Sequence, residues 1–383
     1  MNEHSNNIFE RGQIADAGSK GINVLSLFNG MSTGHTALDN VGIKVNKYYS
    51  SELKPYAIEL TQHHYPETIQ LGDVNNWREW DIDWKSIDLL LSGSPCKDLS
   101  VAGKRAGING SNSGLFWKFI EIYQHIKTLN PKVIFFQENV GSAPKKDIGI
   151  MSRAMGVYPV RINSKLVTAQ LRDRYYWTNA KTKEFGMFGD IVTDIPQPKD
   201  RNIMFGDIVT DGLTDKEKAN CLLESESRMT TSQESLKKRY EKDFNSIVYI
   251  ENNTVKAKTN TVKGFTTITE NDCLNMSFPK STTRRGRVTK GKAPCLLEGN
   301  EPLYKLQGLE VRMLNQTELE RLQGFLDGWT SILSRNKAAS LLGDGWTLPI
   351  IEHMFQYLPF KKAREEKNVI TEYKHEPLNE TGT

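Results

Sequence analysis

Ile87-Asp88-Leu89-Leu90-Leu91 runs directly into Ser92-Gly93-Ser94-Pro95-Cys96-Lys97-Asp98-Leu99-Ser100, and this junction decides the fold. Three successive leucines bounded by small, turn-forming residues read as a short strand buried on both faces, as in a parallel sheet. Ser92, Gly93, Ser94 and Pro95 break that strand and leave Cys96 at its carboxyl end. Open α/β sheets place ligands and reactive groups there. A lone cysteine is more often a small buried apolar residue than a nucleophile. The weight of this position therefore depends on the rest of the chain.

Upstream, Ile22 to Phe28 reads as a strand running into Asn29-Gly30-Met31-Ser32-Thr33-Gly34, and Thr36-Ala37-Leu38-Asp39 then turns helical. A strand, a glycine-bearing turn and a helix N-terminus let backbone approach a nucleotide-type ligand closely. The spacing is GxxxG rather than GxGxxG, so a plain tight turn fits equally well. A second strand, Lys44 to Tyr49, leads to Glu52. Its separation from Gly30 matches the gap of about 20 residues at which an acid meets a ribose. A third unit, Ile69 to Val74, carries Asp73. Either acid could be a simple helix cap. Two acids at successive strand ends after a glycine turn favour an adenosine-type ligand.

Downstream, the loop Val101 to Gly114 is rich in Gly, Lys and Arg and suits either closure over a substrate or simple flexibility. In the helix expected over 113–129, Leu115, Phe119, Ile122, Ile126 and Leu129 share a face and form core. A fifth strand, Lys132 to Gln137, ends at Glu138-Asn139-Val140. A carboxylate at the end of so apolar a run is expected to be partly buried, where it can carry a proton. Gln170, Arg172 and Arg174 alternate before Tyr175-Tyr176-Trp177. On a strand that alternation directs all three polar side chains to one face, as a clamp for an anion or a base edge.

At 383 residues a large domain plus a smaller one is expected. Lys and Arg total 50 against 46 acids, a net charge of +4, which permits a nucleic-acid partner without establishing one. Cys96, Cys221, Cys273 and Cys295 form no CxxC pair and no metal-ligand spacing, so no metal and a reducing cytosolic setting are expected. Residues 1–20 read as a polar, disordered lead without a signal-peptide core. No apolar run reaches membrane-spanning length, so a soluble intracellular protein is expected.

Taken in order, SLFNGMSTG (26–34), SELKPYA (51–57), GDV (72–74), GSPCKDLS (93–100), ENV (138–140) and AQLRDRYYW (169–177) resemble the motif series of DNA cytosine-5 methyltransferases. LNQTELERLQGF (314–325) and LLGDGWTLPIIEHMF (341–355) resemble the closing motifs of that family. The resemblance is to the bacterial and phage type, with particular similarity to the animal de novo enzymes. It implies a Rossmann-like α/β sheet using S-adenosylmethionine, with a small inserted target-recognition domain. The implied divisions are a lead 1–20, a first catalytic part 21–180, a target-recognition domain 181–285, a closing catalytic part 286–360 and a charged tail 361–383.

The resemblance also implies roles. Cys96 would add to cytosine C6, helped by the positive charge of Lys97, Arg172 and Arg174, and Glu138 would protonate N3. Arg174 would hold the base carbonyl and Arg172 a nearby phosphate. Phe28, Gly30, Ser32, Thr33, Glu52, Asp73, Val74, Pro95, Asp344 and Trp346 would line the S-adenosylmethionine site. The implied partner is double-stranded DNA, bound by a monomer with a flipped-out base and no membrane association. Lys97 stands where the family commonly has Gln, and Asp344 where many members have Asn.

Two features mark the insert. MFGDIVTD occurs at 187–194 and again at 204–211, a local duplication. Between 253 and 292, nine lysines and arginines oppose only Glu270 and Asp272, as on a surface that contacts phosphates. That long basic insert favours duplex DNA over the transfer-RNA substrate of related RNA enzymes. A silent binding module would not need Cys96, Glu138 and Arg174 together. A dinucleotide oxidoreductase would need the pyrophosphate glycine pattern.

Overall fold

A computed structural model of the chain describes residues 21–95, 114–187, 189–210, 216–224 and 313–362, with isolated positions and short strands elsewhere between 212 and 312. Cys96, Lys97, most of the loop after them, the lead 1–20, nearly all of the charged tail and most of the basic stretch 253–292 lie outside the described residues.

The chain forms two compact units. The first is drawn from Met1–Val167, Arg172–Arg201 and Asp344–Thr383, the second from Thr168–Leu171 and Asn202–Gly343. The first is built on seven strands: β1 (Ile22–Leu27), β2 (Val45–Ser51), β3 (Ile69–Gln70), β4 (Leu89–Ser92), β5 (Ile134–Val140), β6 (Val160–Asn163) and β7 (Asp173–Thr178). Their order across the sheet is β3-β2-β1-β4-β5-β7-β6. The first five are parallel, and β7 runs antiparallel to both β5 and β6. The chain winds outward from β1 to β3, then returns to β1's other side as β4. That reversal opens a crevice at the carboxyl ends of β1 and β4. The Rossmann-like α/β sheet is as expected.

Both faces of the sheet are covered, which is why β4 reads as an unbroken leucine run. On one face Leu25, Leu90 and Phe135 pack against helix α3 (Gly114–Leu129). On the other, helix α1 (Thr33–Asn40) packs against the helix Leu348–Phe355, and Phe136 meets Phe355 at 5.3 Å between ring centroids. In α3 the buried stripe is Phe116, Phe119, Ile122, Tyr123 and Ile126. Leu129, expected in the core, is 42 % exposed, because the helix ends there and no further turn covers it. β3 is also shorter than expected: Val74 starts a 3-10 turn over Val74–Glu79 instead of ending the strand.

In the second unit, the helix Gln316–Gln323 is set by a capping box. Glu318 N donates to Asn315 Oδ1 at 2.9 Å, and Asn315 N donates to Glu318 Oε2 at 2.8 Å. Short antiparallel pairs join Thr254–Lys258 to Phe265–Thr269 and Cys273–Asn275 to Arg287–Thr289. The duplicated octapeptide adopts two structures. Its first copy supplies β9 (Asp190–Thr193), paired with β8 (Thr182–Phe185); its second supplies the short helix Phe205–Ile208. Phe205 and Ile208, three apart, both bury in the second copy, and Met204 N donates to Asp207 Oδ2 at 2.7 Å.

Candidate active site

The turn after β1 is held in unusual backbone. Phe28, Gly30 and Ser32 all have φ of 57–58°, a region L side chains seldom enter. Side chains compensate. Tyr48 donates to Asn29 Oδ1 at 3.1 Å, Asn29 Nδ2 donates to Ser32 Oγ at 2.7 Å, and the Ser32 and Thr61 hydroxyls meet at 2.9 Å. His35 stacks between Tyr48 and Tyr65, with centroids at 4.4 and 3.8 Å. Burial lowers its pKa to about 4. Burial likewise pushes the Tyr48 hydroxyl well above its ordinary value.

Glu52, on helix α2's approach (α2, Pro55–His64), reaches this turn. Its Oε2 accepts from Gly30 N at 2.7 Å, and its Oε1 accepts from Leu53 N and Lys54 N at 2.8 and 2.9 Å. Asp73 caps the 3-10 turn by accepting from Asn75 N at 2.9 Å, and Val74 beside it is buried. Thr33 is buried at the start of α1. A Cβ added at Gly30 or Gly72 would meet nothing within 4 Å. The backbone at Gly30 and at Gly72, the residue before Asp73, thus borders open space.

At the end of β4, Ser94 is fixed from the neighbouring strand: its Oγ accepts from Gln137 Nε2 at 3.0 Å and Asn139 Nδ2 at 3.4 Å. Period-two alternation turns those amides to one face of β5 and Glu138 to the other. Pro95, the last described residue before Cys96, is partly exposed.

Glu138 meets two donors, one on each oxygen. Arg174 Nε lies 3.0 Å from Oε1, and Trp346 Nε1 donates to Oε2 at 3.2 Å. The Glu138 and Arg174 side chains are 12 % and 13 % exposed. Register explains the pair. Glu138 lies opposite Tyr176 and Val140 opposite Arg174, so Arg174 is the diagonal neighbour on Glu138's face. Tyr176, opposite the carboxylate, is fully buried, and burial reinforced by Glu138's charge pushes its hydroxyl upward.

The three-residue clamp expected from Gln170, Arg172 and Arg174 does not form, because β7 begins only at Asp173. Gln170 is buried and donates to Leu322 O at 2.6 Å and Gln323 Oε1 at 3.1 Å. Arg172, 3 % exposed, donates to Gly345 O at 2.7 Å. Of the three, Arg174 pairs with Glu138. Asp344 pairs with Lys54 at 2.6 Å, and that carboxylate raises Lys54 against the opposing effect of burial. Sequence reasoning missed Ser94, Gln137, Asn139, Tyr48 and Lys54. Two amides flanking Glu138 at a buried strand end were the available signal for Gln137 and Asn139; nothing local marks Lys54. Among the described residues no group of three His, Cys, Asp or Glu could hold a metal, and no helix is long and apolar enough to cross a membrane.

Residues 22–358 match the model of the C-5 cytosine-specific DNA methylases, and the chain belongs to that family. The orphan methyltransferase M.SPRI of Bacillus phage SPR is 32% identical over 170 residues, which is 40% of this chain and 37% of that protein. The type II methyltransferase M.NgoBV of Neisseria gonorrhoeae is 29% identical over 172 residues, 43% of this chain and 38% of that one. The chain therefore spans less than two-fifths of the length of either relative. The structure is similar to that of the Entamoeba histolytica methyltransferase EhMeth, with a TM-score of 0.51 and 14% identity, covering 88% of this chain and 98% of that one. At that identity the likeness is one of fold.

Proposed function

We propose that this chain is a DNA cytosine-5 methyltransferase, moving a methyl group from S-adenosylmethionine to C5 of a cytosine flipped out of a specific duplex sequence. One observation carries the reading. Glu138, held by Arg174 and Trp346, stands at the end of the strand beside β4, whose chain continues through Ser94 and Pro95 into Cys96.

The residues fit S-adenosylmethionine. A ribose diol calls for a carboxylate beside a glycine turn, and Glu52 holds Gly30 N at 2.7 Å next to open space. Phe28, Gly30, Ser32, Thr33, Glu52, Asp73, Val74, Pro95, Asp344 and Trp346 would hold the molecule. Ser32's hydroxyl is committed to Asn29 and Thr61, so this residue serves through its backbone. When bound, S-adenosylmethionine supplies an electrophilic methyl group on a sulfonium.

Cytosine C5 is a weak nucleophile. The Cys96 thiolate adds to C6, and the displaced electron pair develops on N3, where Glu138 supplies a proton. The resulting enamine makes C5 nucleophilic. After methylation the C5 proton passes to solvent, the electrons of that bond form C5=C6 and expel the thiolate, and N3 returns its proton to Glu138, which restores the ring. Arg174 keeps the Glu138 carboxyl in place and presents positive charge beside it. Arg172, buried on Gly345 O, secures the segment that carries Trp346. A base inside a duplex cannot reach this site, so it must leave the stack.

Residues 181–285 would choose the target sequence, supported by the basic, threonine-rich stretch 253–292 that builds up towards their end. We place the protein in the cytoplasm of a bacterial or phage-infected cell, acting as a monomer. The test is transfer of labelled methyl from S-adenosylmethionine to plasmid DNA and to transfer RNA, with the modified cytosines mapped. Label in DNA at one defined sequence supports the reading. Label confined to transfer RNA makes the chain an RNA enzyme, and label in neither makes it a silent binding module.

A further inference from the structure

Trp346 entered above as a residue of the S-adenosylmethionine site, yet its indole N–H points at the acid. The ring lies against Phe136, with centroids 5.2 Å apart and planes at 76°. Nε1 donates to Glu138 Oε2 at 3.2 Å. Gly93 makes room for it. A Cβ on Gly93 would stand 2.6 Å from Trp346 Nε1 and 3.1 Å from Cε2. Gly93 does not have the positive φ that favours glycine, so the space taken by the indole accounts for it.

We propose that Trp346 is a positioning residue for Glu138, fixing the plane of its carboxyl group. This rests on the assignment of Glu138 as the group that protonates N3. The terminal torsion of a glutamate is broad and roughly two-fold. Arg174 on Oε1 alone leaves the carboxyl free to turn about that bond. A second donor on Oε2 stops the rotation and leaves the remaining lone pairs in a fixed direction. Gly93, two residues after β4's leucines and three before Cys96, thereby couples the nucleophile's loop to the acid's orientation.

The test is a double-mutant cycle read by single-turnover methylation at saturating DNA and S-adenosylmethionine, using Trp346→Phe, Glu138→Gln and both together. Phenylalanine keeps an aromatic ring on Phe136 and removes only the donor. Trp346→Phe should slow the chemical step about tenfold, the upper end of what one lost hydrogen bond costs. In the Glu138→Gln background the same change should cost less than about twofold, since the group it orients is gone. Any change that Trp346→Phe makes in calorimetric affinity for S-adenosylmethionine should be the same in the parent and Glu138→Gln backgrounds, so that it cannot produce the difference in rate. Gly93→Ala, which crowds the indole from the other side, should reproduce the loss and share its dependence on Glu138. Equal fractional losses in both backgrounds would overturn the inference, as would a loss confined to S-adenosylmethionine affinity. A Glu138→Gln protein with a normal rate would instead overturn the assignment on which the inference rests.

Discussion

The parallel and antiparallel parts of the sheet position their side chains by different means. Where β1, β2 and β4 run parallel, their carboxyl ends lie together and the turns there are set largely by backbone: left-handed residues at 28, 30 and 32, and main-chain amides gathered by Glu52. Where β7 runs against β5, the end of one strand meets the start of the other, and a carboxylate meets an arginine through side-chain pairing. The first arrangement suits a ligand held by many small contacts. The second concentrates the chemistry on a few atoms, so single substitutions there should cost most.

The largest effect should therefore fall on the antiparallel side. Glu138→Gln keeps the shape but removes the proposed proton carrier, and should lower kcat by about a hundred- to a thousandfold while the KM for S-adenosylmethionine stays unchanged. On the parallel side Glu52→Ala should do the reverse. Steady-state kinetics should show KM for S-adenosylmethionine raised roughly tenfold, the loss of charge-assisted contacts, with kcat nearly intact. If Glu52→Ala damaged kcat as severely as Glu138→Gln, the division of labour between the two sides would collapse.

A subtler difference is in acid response. His35, beneath the glycine turn, is held by burial at about 4, below its ordinary 6.5. Folded protein therefore binds fewer protons than unfolded protein between those values. Its contribution is present in full above pH 6.5 and lost as the pH falls through about 4. His35→Phe keeps the stack on Tyr48 and Tyr65 and removes the titration, so the melting temperature should fall less between pH 6.5 and 4 than in the parent protein. The smallest effect should come from Lys54→Ala. Its partner Asp344 is 48 % exposed, and such pairs contribute under about 1 kcal/mol. The change in KM should stay below about threefold and vanish in high salt.

Legibility in the sequence followed the same division. The leucine run of β4, the glycine turn and the acids at 52 and 73 were readable because each rests on local chain chemistry. Glu138 was readable from the apolar strand that ends in it. What sequence could not supply was register. Alternation placed Gln170, Arg172 and Arg174 on one face, but β7 starts at Asp173, and the pair with the acid is Arg174's. Trp346 and Glu138 lie 208 positions apart, and no spacing rule joins them. The duplicated octapeptide makes the point most plainly. One sequence is a strand at 190–193 and a helix at 205–208, because neighbours and burial override a propensity the two copies share.

The claim at the centre is that Cys96 forms a bond to C6 which Glu138 makes possible. Duplex DNA carrying 5-fluorocytosine at the target position tests it directly, since fluorine cannot leave C5 as a proton and elimination of the thiolate is blocked. A covalent protein–DNA adduct that survives denaturation should form with S-adenosylmethionine, fade sharply in Glu138→Gln and vanish in Cys96→Ala. An adduct that persists in Cys96→Ala, or none in the unaltered protein acting on its own target sequence, would contradict the account.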